Sequence, residues 1–268
     1  MIKGRRSSRA VGGRGPLVSL LVPAHRAADQ LRENVPRLLA SLRVEFGHRA
    51  EIILVPNPVL EDGETLETAR ELSKVYPQVR TCPTALRPGK GLALKEGFGM
   101  ARGNWIFTVD ADAPFDLGFF RDAAEMLRLG YQLVLGNRRL PQSRFRMSKR
   151  VLGKIYPRFL LGQAFNLLVR TIFPIQTTDT QAGIRAMTRE CAEQVFRRQV
   201  CPHFSYDIEM ILTAQQLGYR SVELPVVLTL KSEKSTIRIL KTGLATAYWL
   251  SRIAWRHWKG LYGKPLTQ

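Results

Sequence analysis

The sequence predicts an α/β fold, a mostly parallel Rossmann-like sheet lying between layers of helices. Three observations carry this. Short apolar runs of four or five residues alternate along the chain with longer segments of helical spacing. The 268 residues are 45% hydrophobic and 24% charged, enough for one large buried core and too apolar for a disordered chain. Only three cysteines are present, Cys82, Cys191 and Cys201, widely spaced. That excludes a disulfide scaffold and fits a reducing compartment.

The elements follow in order. Val18–Val22 (VSLLV) reads as a buried strand ending at Pro23, and residues 28–46 place Leu31, Val35, Leu38, Leu39, Leu42 and Phe46 at helical spacing. Ile52–Val55 is a second strand, Leu66–Val75 a second helix and Val79–Cys82 a third strand. Residues 91–101 suit a helix, Trp105–Val109 a fourth strand, Phe119–Leu129 a helix and Gln132–Leu135 a fifth strand. Strands alternating with helices give a parallel sheet covered on both faces. Ligands of such sheets bind at the carboxyl ends of the strands. The segments to read are therefore Pro23-Ala24-His25, Pro56-Asn57-Pro58, Asp110-Ala111-Asp112 and Gly136-Asn137-Arg138.

The formal charge of +19 is concentrated. Residues 1–16 hold five bases and no acids, residues 136–170 nine and none, and residues 229–268 eight and one. The rest of the chain is near neutral, at −2. A near-neutral domain with three basic attachments implies a polyanionic partner: nucleic acid, an anionic membrane or phosphorylated substrates. No run of eighteen uncharged apolar residues is present, so a spanning helix is not expected. Residues 1–16 lack a following apolar stretch, so they are expected not to be a secretory signal, and the protein is expected in the cytoplasm.

Two carboxylates separated by one small residue at a strand end, Asp110 and Asp112, can hold a hard divalent cation against substrate phosphates; the plain alternative is a loop pair capping the next helix. Upstream, Gly89-Lys90-Gly91 allows close backbone approach to a diphosphate, with Lys90 as a point charge, or is simply a surface turn.

The stretch GKGLALKEGFGMARGNWIFTVDAD resembles the central block of family 2 glycosyltransferases. GNRR at 136–139, the basic stretch to Arg150, DTQAGIRAMTR at 179–189, FSYDIEM at 204–210 and GYRSVELPV at 218–226 follow in the family's order. Together they resemble the polyprenyl-phosphate (dolichyl-phosphate) mannose and glucose synthases. The resemblance covers about residues 17–236 and implies the GT-A nucleotide-sugar-binding fold. It further implies an inverting enzyme that moves glucose or mannose from UDP-glucose or GDP-mannose to polyprenyl phosphate. Mg2+ or Mn2+ on Asp110 and Asp112 would serve the donor diphosphate. Arg138 and Arg150 are the resemblance's candidates for the acceptor phosphate, and Asp179, Gln181 and Arg185 for the sugar pocket. The resemblance makes Pro23, Ala24, Lys90 and Gly91 further substrate-binding candidates, and Asp110, Asp112 and Asp179 the catalytic ones. Where the family carries an acidic pair for the nucleoside this chain has Pro56-Asn57-Pro58, leaving Asn57, Asp62 or backbone groups for that task. Asp207 and Glu209 form an acidic pair on a helix, with Asp207 a substrate-binding candidate and a structural role the alternative for both.

Placed on a helix, residues 237–261 gather Arg238, Lys241, Arg252, Arg256 and Lys259 into one stripe roughly 60° wide. Leu240, Leu244, Ala247, Leu250, Ala254, Trp258 and Leu261 lie opposite, with Tyr248, Trp249 and Trp255 on the flanks. Such a helix lies in the surface of an anionic membrane, or packs on its own domain with its bases outward. Residues 151–173 are a second membrane contact or core. The expected organisation is a basic flexible tail at 1–16, a GT-A domain at 17–230 and a membrane-surface helix at 231–268. The enzyme is expected to be peripheral on the inner membrane face, with no nucleic acid bound. The other readings are a degenerate transferase fold that binds anionic lipid or nucleic acid without turnover, and a transferase with a soluble acceptor.

Overall fold

The structure, a computed structural model, describes residues 17–57, 63–82, 89–146, 149–229 and 239–263, with side chains described outside 149–159 and 239–244. Asp62, the tail at 1–16 and the Arg150 side chain lie outside that set.

The first half of the chain follows the predicted alternation: β1 (Val18–Ala24), α1 (Ala28–Phe46), β2 (Ala50–Pro56), α2 (Gly63–Val75), β3 (Val79–Thr81), α3 (Lys90–Met100), β4 (Trp105–Thr108), α4 (Phe119–Arg128) and β5 (Leu133–Asn137). Continuous apolar runs make β1 and β2 central strands, since a strand covered on both faces cannot alternate with polar residues. The second half adds β6 (Arg144–Arg146), α5 (Lys149–Ile172), β7 (Arg185–Thr188), α6 (Arg189–Arg198), α7 (Tyr206–Gln216), β8 (Ser221–Pro225), β9 (Val227–Thr229) and α8 (Ile239–Trp258).

Seven strands form one sheet in the order β3-β2-β1-β4-β7-β5-β8. All neighbours are parallel except β7, which runs antiparallel to both β4 and β5. The order reverses between β1 and β4, so their carboxyl ends form the crevice where such sheets hold ligands. The inverted β7 brings its own beginning there: Arg185 is in register with Thr108 of β4 and Leu135 of β5. A small parallel pair, β6 and β9, lies beside the sheet and pins the turn after Asp112, with Thr229 N donating to Pro114 O and Asp116 N to Val227 O.

Helices α1, α2 and α4 build the core on one face, and α3, α5, α6, α7 and α8 on the other. Glycines set two of these approaches. A Cβ at Gly97 would meet Val55 Cγ2 at 2.7 Å, which seats α3 on β2, and one at Gly103 would meet Ser19 N at 2.5 Å. At the amino end of the sheet the buried Glu51 accepts from Ser19 Oγ and from Arg102 N and pairs with Arg80.

The apolar seam of α8 differs from the sequence expectation. Leu250, Ile253 and His257 are buried, together with Tyr262 just beyond the helix, whereas Trp258 is 69% exposed. The seam is rotated toward Ile253 and His257 because the helix must meet the surfaces of α7 and α5: His257 packs edge-on against Phe173, and Gln216 Nε2 donates to His257 O. Periodicity finds an amphipathic helix but cannot say which side a neighbour covers.

Candidate active site

The end of β4, the start of β7 and the first turns of α3 and α7 bring together four charges, of which Lys90, Arg185 and Asp207 are largely buried and Asp110 is 39% exposed. Lys90, the first residue of α3, places Nζ 2.8 Å from Asp110 Oδ1 and 3.7 Å from Asp207 Oδ2. Arg185 Nη1 donates to Asp207 Oδ1 at 2.6 Å, with both side chains almost fully buried. Burial alone would push Asp207 up, but Arg185 and Lys90 hold it below the usual carboxylate range. Burial likewise opposes the Lys90 charge, and Asp110 and Asp207 overcome it and leave its pKa raised. Asp110 Oδ2 lies so close to Gly183 that any Cβ there would overlap it.

A second cluster adjoins the first. Asp179, buried, accepts from Arg138 Nε at 2.7 Å and Arg138 Nη2 at 2.8 Å, and also from the backbone N–H groups of Arg138 and Gln181. Asn137 at the end of β5 sets up this turn, donating to Thr178 Oγ1 and accepting from Arg139 N. From α5 the buried Asn166 donates to Thr178 O and accepts from Thr180 N, which fixes the loop carrying Asp179. Asn166 had no sequence signal; a lone amide in a Leu-rich helix reads as surface.

The resemblance assigned Arg138 to an acceptor phosphate and Asp179 to a sugar, yet the fold joins them to each other. Two of the three guanidinium nitrogens of Arg138 are committed to Asp179. Nearby Arg139 and Arg170 are exposed. Partial burial, and after it repulsion from Arg138 and Arg170, lowers the Arg139 pKa against the opposing pull of Asp179. Such a set of cations around one carboxylate leaves net positive charge for an incoming anion. Arg139 lay unremarked inside GNRR, and Arg170 inside the basic segment.

Gly91 is buried, and a Cβ there would meet Cys201 O at 2.6 Å and Tyr206 Cβ at 2.7 Å. Its conformational space is filled by protein, so this glycine serves close packing of α3. The acidic pair on α7 divides, because residues two apart on a helix point to different sides. Asp207 enters the charge cluster. Glu209 instead accepts from Val200 N, Cys201 N and Tyr262 Oη, tying α7 to the segment under Gly91 and to the chain after α8.

Asp112 is exposed on the turn after β4, where Ala113 adopts φ 35° and its N–H donates to Asp110 O. The only other non-glycine residue at positive φ among the described residues is Arg26, just after β1 (φ 48°). Both strained positions stand beside the crevice. A cavity of about 660 Å³ opens beside Asp112, between α1 and the turn 112–118, and Lys90, Asp110 and Asp207 do not line it. Pro23 and Ala24 end β1, where Ala24 O accepts from Asn57 N. Asn57 Oδ1 is buried without a partner among the described residues.

Among the described residues no group of three or more His, Cys, Asp or Glu can hold a metal. Two carboxylates on one turn still suit a hard cation that takes its remaining oxygens from a substrate diphosphate, so the donor set fits Mg2+ or Mn2+.

Residues 19–200 match the profile described as Glycosyl transferase family 2. The chain is 29% identical over 222 residues to the glycosyltransferase AglD of Haloferax volcanii, covering 82% of this chain and 34% of that protein. It is 24% identical over 249 residues to the dolichyl-phosphate beta-glucosyltransferase of Dictyostelium discoideum, covering 91% of this chain and 76% of that one. The chain thus spans about a third of the first relative and about three quarters of the second. Among solved structures, glucosyl-3-phosphoglycerate synthase from Mycobacterium tuberculosis with Mn2+, UDP-glucose and phosphoglyceric acid superposes with a TM-score of 0.60. That match is 18% identical and covers 94% of this chain and 82% of the other, a likeness of fold.

Proposed function

The chain belongs to glycosyl transferase family 2, and from that premise we propose that it transfers a hexose, glucose in the first instance, from a nucleotide sugar to polyprenyl phosphate. The observation that carries the reading is the convergence of Asp110, Lys90, Asp207 and Arg185 with the Arg138–Asp179 pair at the carboxyl ends of β4 and β5. Relatives named dolichyl-phosphate beta-glucosyltransferase support the choice of sugar and acceptor.

The chemistry needs little from the protein beyond placement. A phosphate monoester is already anionic near neutral pH, so its oxygen attacks the anomeric carbon without a strong base. The bond to the nucleoside diphosphate breaks as the new bond forms, inverting the centre. The protein must hold two phosphorylated molecules together and stabilise the departing diphosphate. Asp110 and Asp112 would hold Mg2+ or Mn2+, which when bound supplies charge for the leaving diphosphate. Lys90 stands next to that position. Asn57 Oδ1, a buried acceptor at the end of β2, suits an N–H of the nucleoside base. Arg139 and Arg170 supply the cationic side for the acceptor phosphate, with Arg138 held in place by Asp179.

The same reading places the enzyme on a membrane surface. No described helix is long and apolar enough to cross one. Yet α5 exposes Leu160, Leu161, Leu167 and Leu168, and α8 exposes Tyr248, Trp255 and Trp258 beside the exposed bases Arg252 and Lys259. Leucines, aromatic rings and bases turned outward together match an interfacial contact with anionic lipid. Three free, buried thiols favour the cytoplasmic face.

The test incubates the full chain with radiolabelled nucleotide sugars, polyprenyl phosphate and Mg2+ or Mn2+, followed by organic extraction. Lipid-soluble label is expected. Asp110→Asn and Asp112→Asn should each lower it by at least ~100-fold, about 2.7 kcal/mol of barrier, and Asp112→Asn, on an exposed turn, should leave the melting curve unchanged. Label that stays in the water phase with every donor overturns the acceptor assignment.

A further inference from the structure

The Lys90 ammonium is already paired. The Lys90 side chain is 11% exposed, and its ammonium sits on Asp110 Oδ1 while Gly183 crowds Asp110 Oδ2. The Asp110 carboxylate is thus clamped between a cation and backbone. Behind Lys90 stands Asp207, held in turn by Arg185. Two carboxylates and two cations make a set of zero net charge, buried except at Asp110, whose side chain is 39% exposed. A divalent cation entering alone would compete with Lys90 for Asp110 Oδ1 and, with Asp112 counted, would take the set from one net negative to one net positive charge beside the buried Arg185. A cation entering with a nucleoside diphosphate brings its own compensation.

We propose that Lys90 is a positioning residue that stands in for the divalent cation: it holds Asp110 in the ligand-free enzyme and releases it only when metal and nucleoside diphosphate arrive together. Asp207 retains the displaced ammonium, so Lys90 stays within the site and faces the diphosphate. The fold thereby couples metal binding to donor binding, and a metal without donor is held poorly. This rests on Asp110 being a metal carboxylate, as proposed above.

Mn2+ binding to the full chain, read from the electron paramagnetic resonance signal of free Mn2+ with and without saturating UDP, tests it. The wild type should bind Mn2+ weakly alone and about tenfold more tightly, or better, with UDP, about 1.4 kcal/mol of coupling. Lys90→Gln should bind Mn2+ alone about tenfold more tightly than wild type and gain little from UDP. Lys90→Arg, which keeps the charge, should behave as wild type. Because Lys90→Gln leaves two carboxylates facing each other, the double variant K90Q/D207N is measured beside it and should show the same gain in metal-only affinity. Metal-only affinity that is unchanged or weaker in both, while Asp110→Asn loses Mn2+, overturns the Lys90 inference alone. Mn2+ binding that survives Asp110→Asn removes the metal assignment and the inference with it.

Discussion

Removing the C-terminal helix by ending the chain after Ser235 should unfold the protein rather than merely free it from membranes. The helix covers the second core with Leu250 (6% exposed) and Ile253, and carries Tyr262 behind it, both of the latter fully buried. Each such burial is worth about 1.5–3 kcal/mol. Glu209, itself buried, would also lose the Tyr262 hydroxyl that donates to it, and an under-satisfied buried acceptor costs roughly 1–3 kcal/mol. The loss comes to about 5–12 kcal/mol, comparable with the whole stability of a typical domain. Site geometry should go with it, because the helix that carries Glu209 also carries Asp207. The assay pairs thermal unfolding by circular dichroism with co-sedimentation on anionic vesicles. The truncated chain should lose its cooperative transition. Trp255→Ser with Trp258→Ser, both on the outward face, should melt within ~0.5 kcal/mol of wild type and leave the vesicles. A truncated chain that melts cooperatively within a few degrees of the intact one refutes the packing argument. Tryptophan variants that still sediment refute the membrane contact.

Asp179→Asn should cost about 2–3 kcal/mol near neutral pH, less than a fully buried pair because Arg138 is a third exposed. Burial opposes the Asp179 charge, but the Arg138 fork keeps its native pKa below the unfolded value of about 3.9, so its contribution is complete above that pH and is lost as pH falls through the native value. Denaturant melts at a series of pH values should therefore show the wild type and variant converging in acid. A constant gap down to about pH 2 contradicts the pairing. Burial pushes the Cys191 and Cys201 thiols up to about 12. Ellman's reagent near pH 8 should leave them unlabelled in the folded chain and label them promptly in denaturant; rapid labelling of the native protein would show that this side of the core is open.

The first half of the fold could be read from the sequence because each element carried its own period. Leu20–Val22 and Ile52–Val55 are unbroken apolar runs, as a strand covered on both faces requires, and residues 28–46 repeat every three to four residues. Asp110 and Asp112 were legible for the same local reason, a charged pair directly after such a run. The resemblance in the later blocks named Asp179, Arg185 and Asp207 without saying what each would touch.

The sequence alone determined the α/β class, the family, and the strand ends and charged residues that make up the candidate site. Local spacing encodes these, because strand and helix periods and the residues that follow them are properties of neighbours in the chain. Only the tertiary structure decided the partners. It inserted β7 antiparallel between β4 and β5, which brought Gly183 and Arg185 against Asp110 and Asp207. It bound Arg138 to Asp179, turned Lys90 onto Asp110, and sent Asp207 and Glu209 of one helix to different tasks. It also rotated α8 so that Ile253 faces the core and Trp258 faces outward. Each of these pairs residues far apart in sequence inside a space that one element leaves for another. The energy that selects them, a charge paired in a buried site or a cavity filled, exists only once both elements are in place.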